Sequence, residues 1–383
     1  MKILFVIHTP KDPLTAVYAD AMRRAHYFSA QGHPSEVLTP NDFSWLQSVS
    51  PRWYPLLYPV VIAGWLTRKA RNYDAVILHS YAGWMTNLLR HVLPSLRHIR
   101  TITSFHGLEP LCFSALKAAM AEKGRPLSLR YRLMQKLIAM PLIQLSCRRS
   151  DLVTCLNSRE ADYLATEGWA SPAKIKIQPN TVDKPFFKER QARNQALNLL
   201  FVGQWIERKG IKYLVEAFSA IAASRPDLRL WCVGTRVDGG EVLPHFPESV
   251  RDQVVVIPHV SRKEMIKFYF EADLFVFPSF FEGSSLALLE AMASGLPVIT
   301  TPVGSASDIL ESEISALLVP VADSSALTVA IERVLGDFSL RQRLGHQAQE
   351  VAKQFEFSGV TRNDISIIQG LIGNDGSLIF EAR

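Results

Sequence analysis

The stretch that decides the fold is residues 272–304, ADLFVFPSFFEGSSLALLEAMASGLPVITTPVG. Its apolar run Leu274–Phe277 predicts a buried strand, and a helix is predicted over about Leu286–Ser294. A second strand is predicted at Val298–Thr300. A strand, a helix and a strand in this order are the repeating unit of a parallel α/β sheet, because the helical crossover returns the chain in the same direction.

The same alternation of apolar runs and helical patterns extends along nearly the whole chain. The runs are continuously apolar, which is typical of strands buried on both faces. In the first half they are Ile3–His8, Ala75–His79, Ile99–Phe105, Leu152–Leu156 and Ile175–Gln178. In the second half they are Leu199–Val202, Leu230–Val233, Val254–Ile257, Leu274–Phe277, Val298–Thr300 and Leu317–Val319. The predicted fold class is therefore α/β, with two Rossmann-like, doubly wound parallel sheets.

Chain length and polarity together predict the domain boundary. At roughly 100–200 residues per domain, 383 residues are enough for two domains. The polar segment Asp183–Asn198 separates the halves, so we predict domains at residues 1–185 and 186–383, with the last helical segment able to pack back on the first. Ligands of open α/β sheets bind beyond the carboxyl ends of the strands. Two facing sheets would therefore hold two substrates across a cleft.

The net charge of +6 is divided unevenly between these halves. Residues 1–185 carry 23 Lys and Arg against 12 Asp and Glu, or +11, whereas residues 186–383 carry 19 against 24, or −5. The basic half is where a partner surface is expected. The four cysteines stand singly, without zinc-site spacing, so neither a disulfide scaffold nor structural zinc is expected and a reducing cytosol fits.

Export or membrane insertion is not expected from the apolar segments. The run Ile3–Ile7 has only five residues, which is short for a signal peptide. The longest apolar stretch, Trp53–Leu66, has 14 residues and contains two prolines, whereas a spanning helix needs about 20. We therefore predict a cytoplasmic protein without a membrane span.

The loop before the predicted helix at 286 combines an anion site with carboxylates. Either Ser284 or Ser285 can cap the helix, and the N–H groups of the first turn, around Leu286, can bind an anion. Glu282 lies in the loop and Glu290 about one turn into the helix. Taken alone, these carboxylates fit a nucleotide site, but they equally fit a helix cap and a solvated helix face.

A second motif follows the strand predicted at 199–202, where residues 203–210 read GQWIERKG. Arg208 and Lys209 stand beside the carboxyl end of that strand, where a diphosphate would need charge-assisted hydrogen bonds. The spacing matches neither a P-loop nor Gly-x-Gly-x-x-Gly. A nicotinamide enzyme or an ATPase is therefore not supported.

Together these motifs resemble the retaining glycosyltransferases of family 4, which have the GT-B fold. Glu282 and Glu290 have that family's spacing of seven intervening residues, and Asn180-Thr181-Val182-Asp183 is similar to its usual Asn-Gly-Val-Asp. The resemblance is strong from about Asn180 to Phe357 and weaker over the first half. It implies a hexosyltransferase-type enzyme that moves a sugar from a nucleotide-diphosphate sugar to a glycan or a lipid-linked acceptor.

The resemblance also implies roles for individual residues. Lys209 and Arg208 would hold the diphosphate with the N–H groups near Ser284, Ser285 and Leu286, and Gly203 and Gln204 would line the same loop. Glu290 would accept hydrogen bonds from the ribose, and Glu282 would contact the donor sugar. The backbone at Pro258 and His259 would flank the base. His106, at a strand end, would lie beside the donor sugar and phosphate, although a lone strand-end histidine is also commonly structural.

Two features depart from the family pattern. Gln204 stands where the family usually has arginine, and residues 8–15 contain no glycine where the family often has a Gly-Gly loop. The favoured mechanism of the family is a front-face reaction in which the leaving phosphate helps to deprotonate the acceptor. The chain has no Asp-x-Asp motif, so we expect a metal-independent reaction with no cofactor besides the sugar nucleotide.

The basic half leaves two interpretations open. The segments 52–54, 68–71 and 125–149 mix cations with apolar residues, which fits either a surface on anionic lipid or ordinary helices with a solvated edge. No nucleic-acid recognition motif is present. Rival functions are a catalytically silent module that binds a sugar nucleotide or a glycan, and an epimerase or phosphorylase on the same fold.

Overall fold

The computed structural model describes residues 1–12, 15–50, 53–122, 127–190 and 198–373. The chain forms two compact units, Met1–Gln178 with Thr361–Arg383, and Pro179–Val360. Each unit is built on a six-stranded parallel sheet among the described residues. The predicted fold class is confirmed.

The first unit contains strands β1 to β6 in the order β2-β1-β3-β4-β5-β6. Their bounds are β1 Ile3–Val6, β2 Ser35–Leu38, β3 Ala75–His79, β4 Arg100–Ser104, β5 Leu152–Cys155 and β6 Ile175–Ile177. Its helices are α1 Ala16–Ala30, α2 Tyr54–Lys69, α3 Trp84–Leu89, α4 Glu109–Glu122, α5 Leu129–Met134, α6 Met140–Arg149 and α7 Ser158–Thr166. Helices α5 and α6 are joined by a π-helical turn at Gln135–Ala139.

The second unit contains strands β7 to β12 in the order β12-β11-β10-β7-β8-β9. Their bounds are β7 Asn198–Val202, β8 Arg229–Val233, β9 Val254–Ile257, β10 Leu274–Phe277, β11 Val298–Thr300 and β12 Leu317–Leu318. The helices are α8 Ile211–Ala222, α9 Gly239–Val242, α10 Arg262–Glu271, α11 Leu286–Ala293, α12 Ala306–Ile309, α13 Ser324–Gly336, α14 Phe338–Ala352 and α15 Phe357–Gly373. All six strands predicted in this half are present.

Strand β2 is absent from the prediction because it is an edge strand of mixed polarity. Its sequence SEVL has one fully buried position, Leu38, whereas all four residues of β1 are buried. An edge strand needs no continuous apolar run, since only one side of it is paired and covered.

The division between units differs from the predicted one at 185/186. It falls after Gln178, and the chain from Thr361 onward belongs to the first unit. There Asp364 accepts hydrogen bonds from Arg24 at 2.5 Å and from Gln178 at 2.6 Å, and three apolar residues of α15 join the core of the first unit, namely Ile365, Ile368 and Leu371. The predicted linker Asp183–Asn198 lies outside the described residues over 191–197.

None of the helices in the described part of the chain is long and apolar enough to cross a bilayer. The segment 53–66 instead forms most of α2, which buries Tyr58, Ile62 and Leu66. The four cysteines, all within the described residues, are not joined in disulfides.

Gly210 fixes the position of the loop between β7 and α8. Its φ of +72° is a left-handed conformation, and an added Cβ would lie 1.8 Å from the carbonyl oxygen of Pro278 at the end of β10. Only glycine allows this approach. A similar contact holds the next loop, because a Cβ on Gly304 would lie 2.4 Å from the carbonyl oxygens of Glu282 and Gly283.

We expect Gly210→Ala to lower the free energy of unfolding of the second unit by about 2–4 kcal/mol, since alanine adds left-handed strain and a clash with backbone. The matched control is Gly336→Ala in α13, where an added Cβ meets nothing within 4 Å. Urea unfolding of both variants, followed by circular dichroism, measures the difference. Equal stability of the two variants would contradict the tight loop.

Candidate active site

Lys209 and Glu282 form the centre of the site in the second unit. The Lys209 ammonium donates a hydrogen bond of 2.7 Å to Glu282 Oε1 and lies 4.7 Å from the centre of the Phe277 ring. Their side chains are only 13% and 11% exposed. Arg208, at 42% exposed, places Nη1 3.6 Å from Glu282 Oε2 and donates to the carbonyl of Phe281. The two motifs identified in the sequence are therefore in direct contact.

Burial governs the electrostatics of this pair. Desolvation lowers the pKa of Lys209 below its ordinary value, and the charge of Glu282 opposes that decrease. A cation in a poorly hydrated environment interacts strongly with an anion that binds in addition to Glu282, because little water screens the two charges. Together with Arg208, whose Nη1 lies 3.6 Å from Glu282 Oε2, the pair forms a group of two cations and one carboxylate at the carboxyl edge of the sheet.

The N-terminus of α11 begins beside this pair. Ser285 caps it, since its Oγ accepts a hydrogen bond from the Leu288 N–H at 3.3 Å. Ser284 has another role: its Oγ and carbonyl accept hydrogen bonds from Asn180 at 3.0 and 2.6 Å. Both serine hydroxyls are therefore used within the protein. The N–H groups of the first helical turn, from Leu286 onward, remain the anion-binding feature of this helix.

Glu290 is buried in α11 and has two partners from α10. The Tyr269 hydroxyl donates to its Oε2 at 3.0 Å, and Arg262 Nη1 lies 3.4 Å from its Oε1. Arg262 also pairs with Asp183 at 2.6 Å. Burial, and then the Glu290 charge, raise the pKa of Tyr269 well above its usual range, so its hydroxyl stays a donor. Glu290 is therefore a fixed acceptor and not a solvated helix carboxylate.

Gly203, Gln204, Pro258 and His259 follow neighbouring strands at the same sheet edge. Gly203 has a φ of +153° and donates to the carbonyl of Val233 at 2.9 Å. The Gln204 and His259 side chains are exposed, and the carbonyl of Pro258 accepts from the Arg236 N–H at 3.1 Å. Because β7, β8 and β9 are adjacent and parallel, these residues share the edge that carries Lys209.

His106 lies in the first unit, in a cluster of three histidines. It stacks on His79, with ring centres 4.8 Å apart and an interplanar angle of 6°, and His8 lies 5.0 Å from the Tyr81 ring. His8, His79 and His106 come at the ends of β1, β3 and β4, which are neighbours. The sequence prediction named only His106.

The three imidazoles are held neutral. Burial, with a contribution from His106, lowers the pKa of His8 to about 4, and burial likewise lowers the pKa of His79 and of His106. The nearby Arg24 is compensated by hydrogen bonds to Asp20 and Asp364. Among the described residues, His8 Nδ1, His79 Nδ1 and His106 Nε2 are buried without a hydrogen-bond partner. Neutral imidazoles of this kind can donate to or accept from a hydroxyl group.

Glu109 adds a fourth titratable group near these histidines, at the start of α4. It accepts a hydrogen bond from Ser80, which follows His79 directly. Burial raises the pKa of Glu109 to about 7. In the parts of the chain that the structure describes, no group of three or more His, Cys, Asp or Glu side chains could hold a metal ion.

Several functional contacts carried no signal in the sequence. Arg262 and Tyr269 reach Glu290 from a different helix, and His8 and His79 meet His106 across three strands. Each contact joins residues far apart in the chain, so no local spacing indicates it. The one available indication for His8 and His79 is their position at strand ends, because ligands of open α/β sheets bind beyond the carboxyl ends of the strands.

Two family models match the chain, one in each half. Residues 21–184 match the model described as Glycosyltransferase Family 4, and residues 196–337 match the model described as Glycosyl transferases group 1. The Glu282 and Glu290 pair lies within the second match, and His79 and His106 lie within the first.

Two curated relatives and a solved structure are similar to the chain. The uncharacterized glycosyltransferase MJ1607 of Methanocaldococcus jannaschii is 27% identical over 44% of this chain and 44% of its own length. The capsular polysaccharide biosynthesis glycosyltransferase CapM of Staphylococcus aureus is 26% identical over 66% of this chain and 68% of its own. The matched segment thus spans under half of the first relative and about two thirds of the second. The structure of Anabaena Alr3699/HepE in complex with UDP has a TM-score of 0.69 at 16% identity, and covers 97% of this chain and 100% of its own.

The lowered histidine pKa values predict the pH dependence of stability. The unfolded chain protonates His8 below its ordinary pKa of 6.5, whereas the folded protein resists protonation down to about 4. His8 therefore makes folding less favourable as pH falls through that window, by up to about 1.4 kcal/mol per pH unit. We expect His8→Asn to reduce the loss of stability between pH 6.5 and 4 relative to the parent.

Urea unfolding at several pH values measures this difference. The control is His346→Asn, which removes an exposed histidine on α14 and should leave the pH dependence of the parent unchanged. Parallel curves for His8→Asn and the parent would show that His8 is protonated equally in both states.

Proposed function

We propose that this chain, which belongs to glycosyltransferase family 4 and has the GT-B fold, transfers a sugar from a nucleotide-diphosphate donor to an acceptor hydroxyl group, with retention of configuration. The observation that carries the proposal is the partly desolvated Lys209, held by Glu282 beside the N-terminus of α11. A buried cation and a helix N-terminus at one sheet edge favour a diphosphate.

In the proposed donor complex, Lys209, Arg208 and the first-turn N–H groups of α11 bind the diphosphate. Glu290, oriented by Tyr269 and Arg262, accepts hydrogen bonds from the ribose hydroxyls. The backbone at Pro258 and His259 flanks the base. The presence of UDP in the similar Anabaena structure supports this type of donor.

The proposed reaction is a front-face displacement at the anomeric carbon. The bond from that carbon to the diphosphate oxygen breaks, the acceptor oxygen bonds to the same face, and the leaving diphosphate takes the acceptor proton. Lys209, Arg208 and the helix N-terminus stabilise the charge that grows on the diphosphate, which is the role a metal ion has in other transferases. Glu282 positions the donor sugar, and His106 offers a neutral imidazole to its hydroxyl groups.

Because Gln204 stands where the family usually has arginine, the diphosphate is held by a different set of cations in the proposed complex. A neutral amide at this position supplies no full charge, so the exposed Arg208 provides the second cation in the proposed complex.

The proposed acceptor is a glycan or a lipid-linked sugar in polysaccharide or glycolipid synthesis. The similarity to CapM supports this choice. We place the enzyme in the cytoplasm as a peripheral protein of the inner membrane face, and the charge of +11 in residues 1–185 supports contact with an anionic surface. Four cysteines that are not joined in disulfides are compatible with a reducing compartment.

A catalytically silent module and an epimerase are the alternatives, and Gln204 is the feature that favours a silent module. Release of UDP from UDP-sugars, with and without glycan acceptors, distinguishes the three. A transferase releases UDP faster with an acceptor, an epimerase interconverts the sugar without release, and a silent module binds UDP without turnover.

We expect Lys209→Ala to lower the transfer rate by about 10²–10³, because it removes the buried cation that faces the developing charge. The matched control is Lys212→Ala, which removes an exposed lysine three residues away, beside Tyr213. Initial rates with saturating acceptor measure the effect, and melting temperatures confirm that both variants fold. Parental rates in Lys209→Ala would contradict the assignment to the diphosphate.

Tyr269→Phe tests the ribose site with a smaller change. Loss of the hydroxyl removes one hydrogen bond from Glu290, so we expect the Kd for UDP to rise about 3–10-fold. Affinity for inorganic pyrophosphate, which has no ribose, should be unchanged. Titration calorimetry measures both, and an equal loss for the two ligands would place Tyr269 outside the ribose site.

A further inference from the structure

Helix α5 and the π-helical turn that follows it expose three leucines to solvent on one face. Leu129, Leu133 and Leu137 are 66%, 46% and 69% exposed, and they recur every fourth residue. Residues at this spacing lie on the same side of a helix. We propose that this leucine face inserts into the headgroup region of an anionic lipid bilayer and attaches the first unit to it; the inference rests on the membrane contact of the proposed function and names the surface that makes it.

Every charged residue in the sequence segment that contains the leucine face is positive. Arg130 and Lys136 are exposed and Arg132 is half-buried, and no Asp or Glu occurs between Glu122 and Asp151 in the sequence. Cations that flank an apolar helix face are typical of interfacial helices, because the apolar side chains enter the membrane while the cations meet anionic headgroups.

The fold leaves this face uncovered while it anchors the helix at its other end. No residue of α5 is buried. The π-helical turn at Gln135–Ala139 follows, and α6 then enters the core with Ile143, Ser146 and Cys147 buried. The side chain of Asn87 donates to the Ser146 carbonyl at 2.8 Å. Helix α6 therefore holds α5 and the π-helical turn, and the three leucines of these two elements are exposed to solvent.

The contact between α5 and α4 extends the apolar surface. The rings of Phe113 and Tyr131 are 6.0 Å apart, and Leu116, one turn further along α4, is also exposed. The predicted basic segment 125–149 is thus the one that combines cations with exposed leucines, although residues 125 and 126 lie outside the described ranges.

Helix α2, the other basic and apolar segment of the prediction, fits a membrane surface less well. It uses Tyr58, Ile62 and Leu66 in the core, and its basic residues Arg68 and Lys69 lie at the end opposite to the exposed Leu57. Arg52 of that segment lies outside the described residues.

The positive charges beside the leucine face favour a lipid surface over a second copy of the chain as the partner that covers this face. In a symmetric dimer through the leucine face, the same cations would meet one another, and like charges oppose such a contact. An anionic bilayer complements both the leucines and the cations.

The test compares vesicles of phosphatidylcholine alone with vesicles that also contain phosphatidylglycerol, in a flotation assay. The parent protein should bind the anionic vesicles, bind the neutral ones at least about tenfold more weakly, and detach as salt is raised. Leu129→Ser, Leu133→Ser and Leu137→Ser in one variant should weaken binding to anionic vesicles by at least about tenfold. Arg130→Gln with Lys136→Gln should also weaken it about tenfold or more.

Matched controls lie in the second unit. Ile314→Ser, Val321→Ser and Val329→Ser remove three other exposed apolar side chains, and Lys212→Gln with Lys267→Gln removes two exposed cations. These variants should bind vesicles like the parent. Melting temperature and UDP binding, measured on every variant, report folding and donor binding separately from membrane contact.

Equal vesicle binding by the leucine variant and the parent would overturn the proposal, as would equal loss in the second-unit controls. Light scattering provides a further check: a parent dimer that the leucine substitutions convert to a monomer would make a second copy the occupant. Loss of vesicle binding with intact UDP binding supports the membrane surface, whereas a parent that binds none of UDP, GDP and ADP contradicts the proposed function alone.

Discussion

The site in the second unit depends on the close approach of two loops at Gly210. Because this residue has no side chain, the loop after β7 lies against the Pro278 carbonyl at the end of β10. Lys209, the preceding residue, then meets Glu282 across the two loops. Each charge of this pair is buried and depends on the other, since removal of one leaves an uncompensated ion in a poorly hydrated place. The absence of a side chain at Gly210 therefore determines both where Lys209 and Glu282 lie and how their charges interact.

The first unit separates its charges differently. Around His8, His79 and His106, burial keeps the imidazoles neutral and Arg24 is compensated by two aspartates. Arg130 of α5 and Lys136 of the following π-helical turn, by contrast, are exposed to solvent. Part of the net charge of +11 in residues 1–185 therefore lies on the surface near α5. The strand ends of the first unit, where the imidazoles are neutral, suit a neutral group that carries hydroxyls.

Much of the fold could be predicted from the sequence because most strands are buried on both faces and are therefore continuously apolar. The edge strand β2 lacked that signal. The strand-end positions of Lys209 and Glu282 could be seen in the sequence, although their ion pair was not predicted. Arg262, Tyr269, His8 and His79 could not be found by spacing, since their partners lie on other elements. The predicted boundary at 185/186 differs from the observed division after Gln178, because a polar sequence indicates that a segment is exposed but not which unit it packs against. The cleft between facing sheets remains a prediction.

The pairing of Lys209 with Glu282 has a consequence for donor selection in the proposed mechanism. A diphosphate that draws Lys209 toward itself takes away the only ammonium group hydrogen-bonded to Glu282 among the described residues. When a nucleoside diphosphate without a sugar binds, the Glu282 carboxylate faces the negative charge of the diphosphate without a compensating hydrogen bond from a sugar. A donor sugar can return hydrogen bonds to Glu282 from its hydroxyl groups, and so offsets the loss. In the proposed mechanism, the Lys209–Glu282 ion pair therefore favours the complete sugar nucleotide over its diphosphate product.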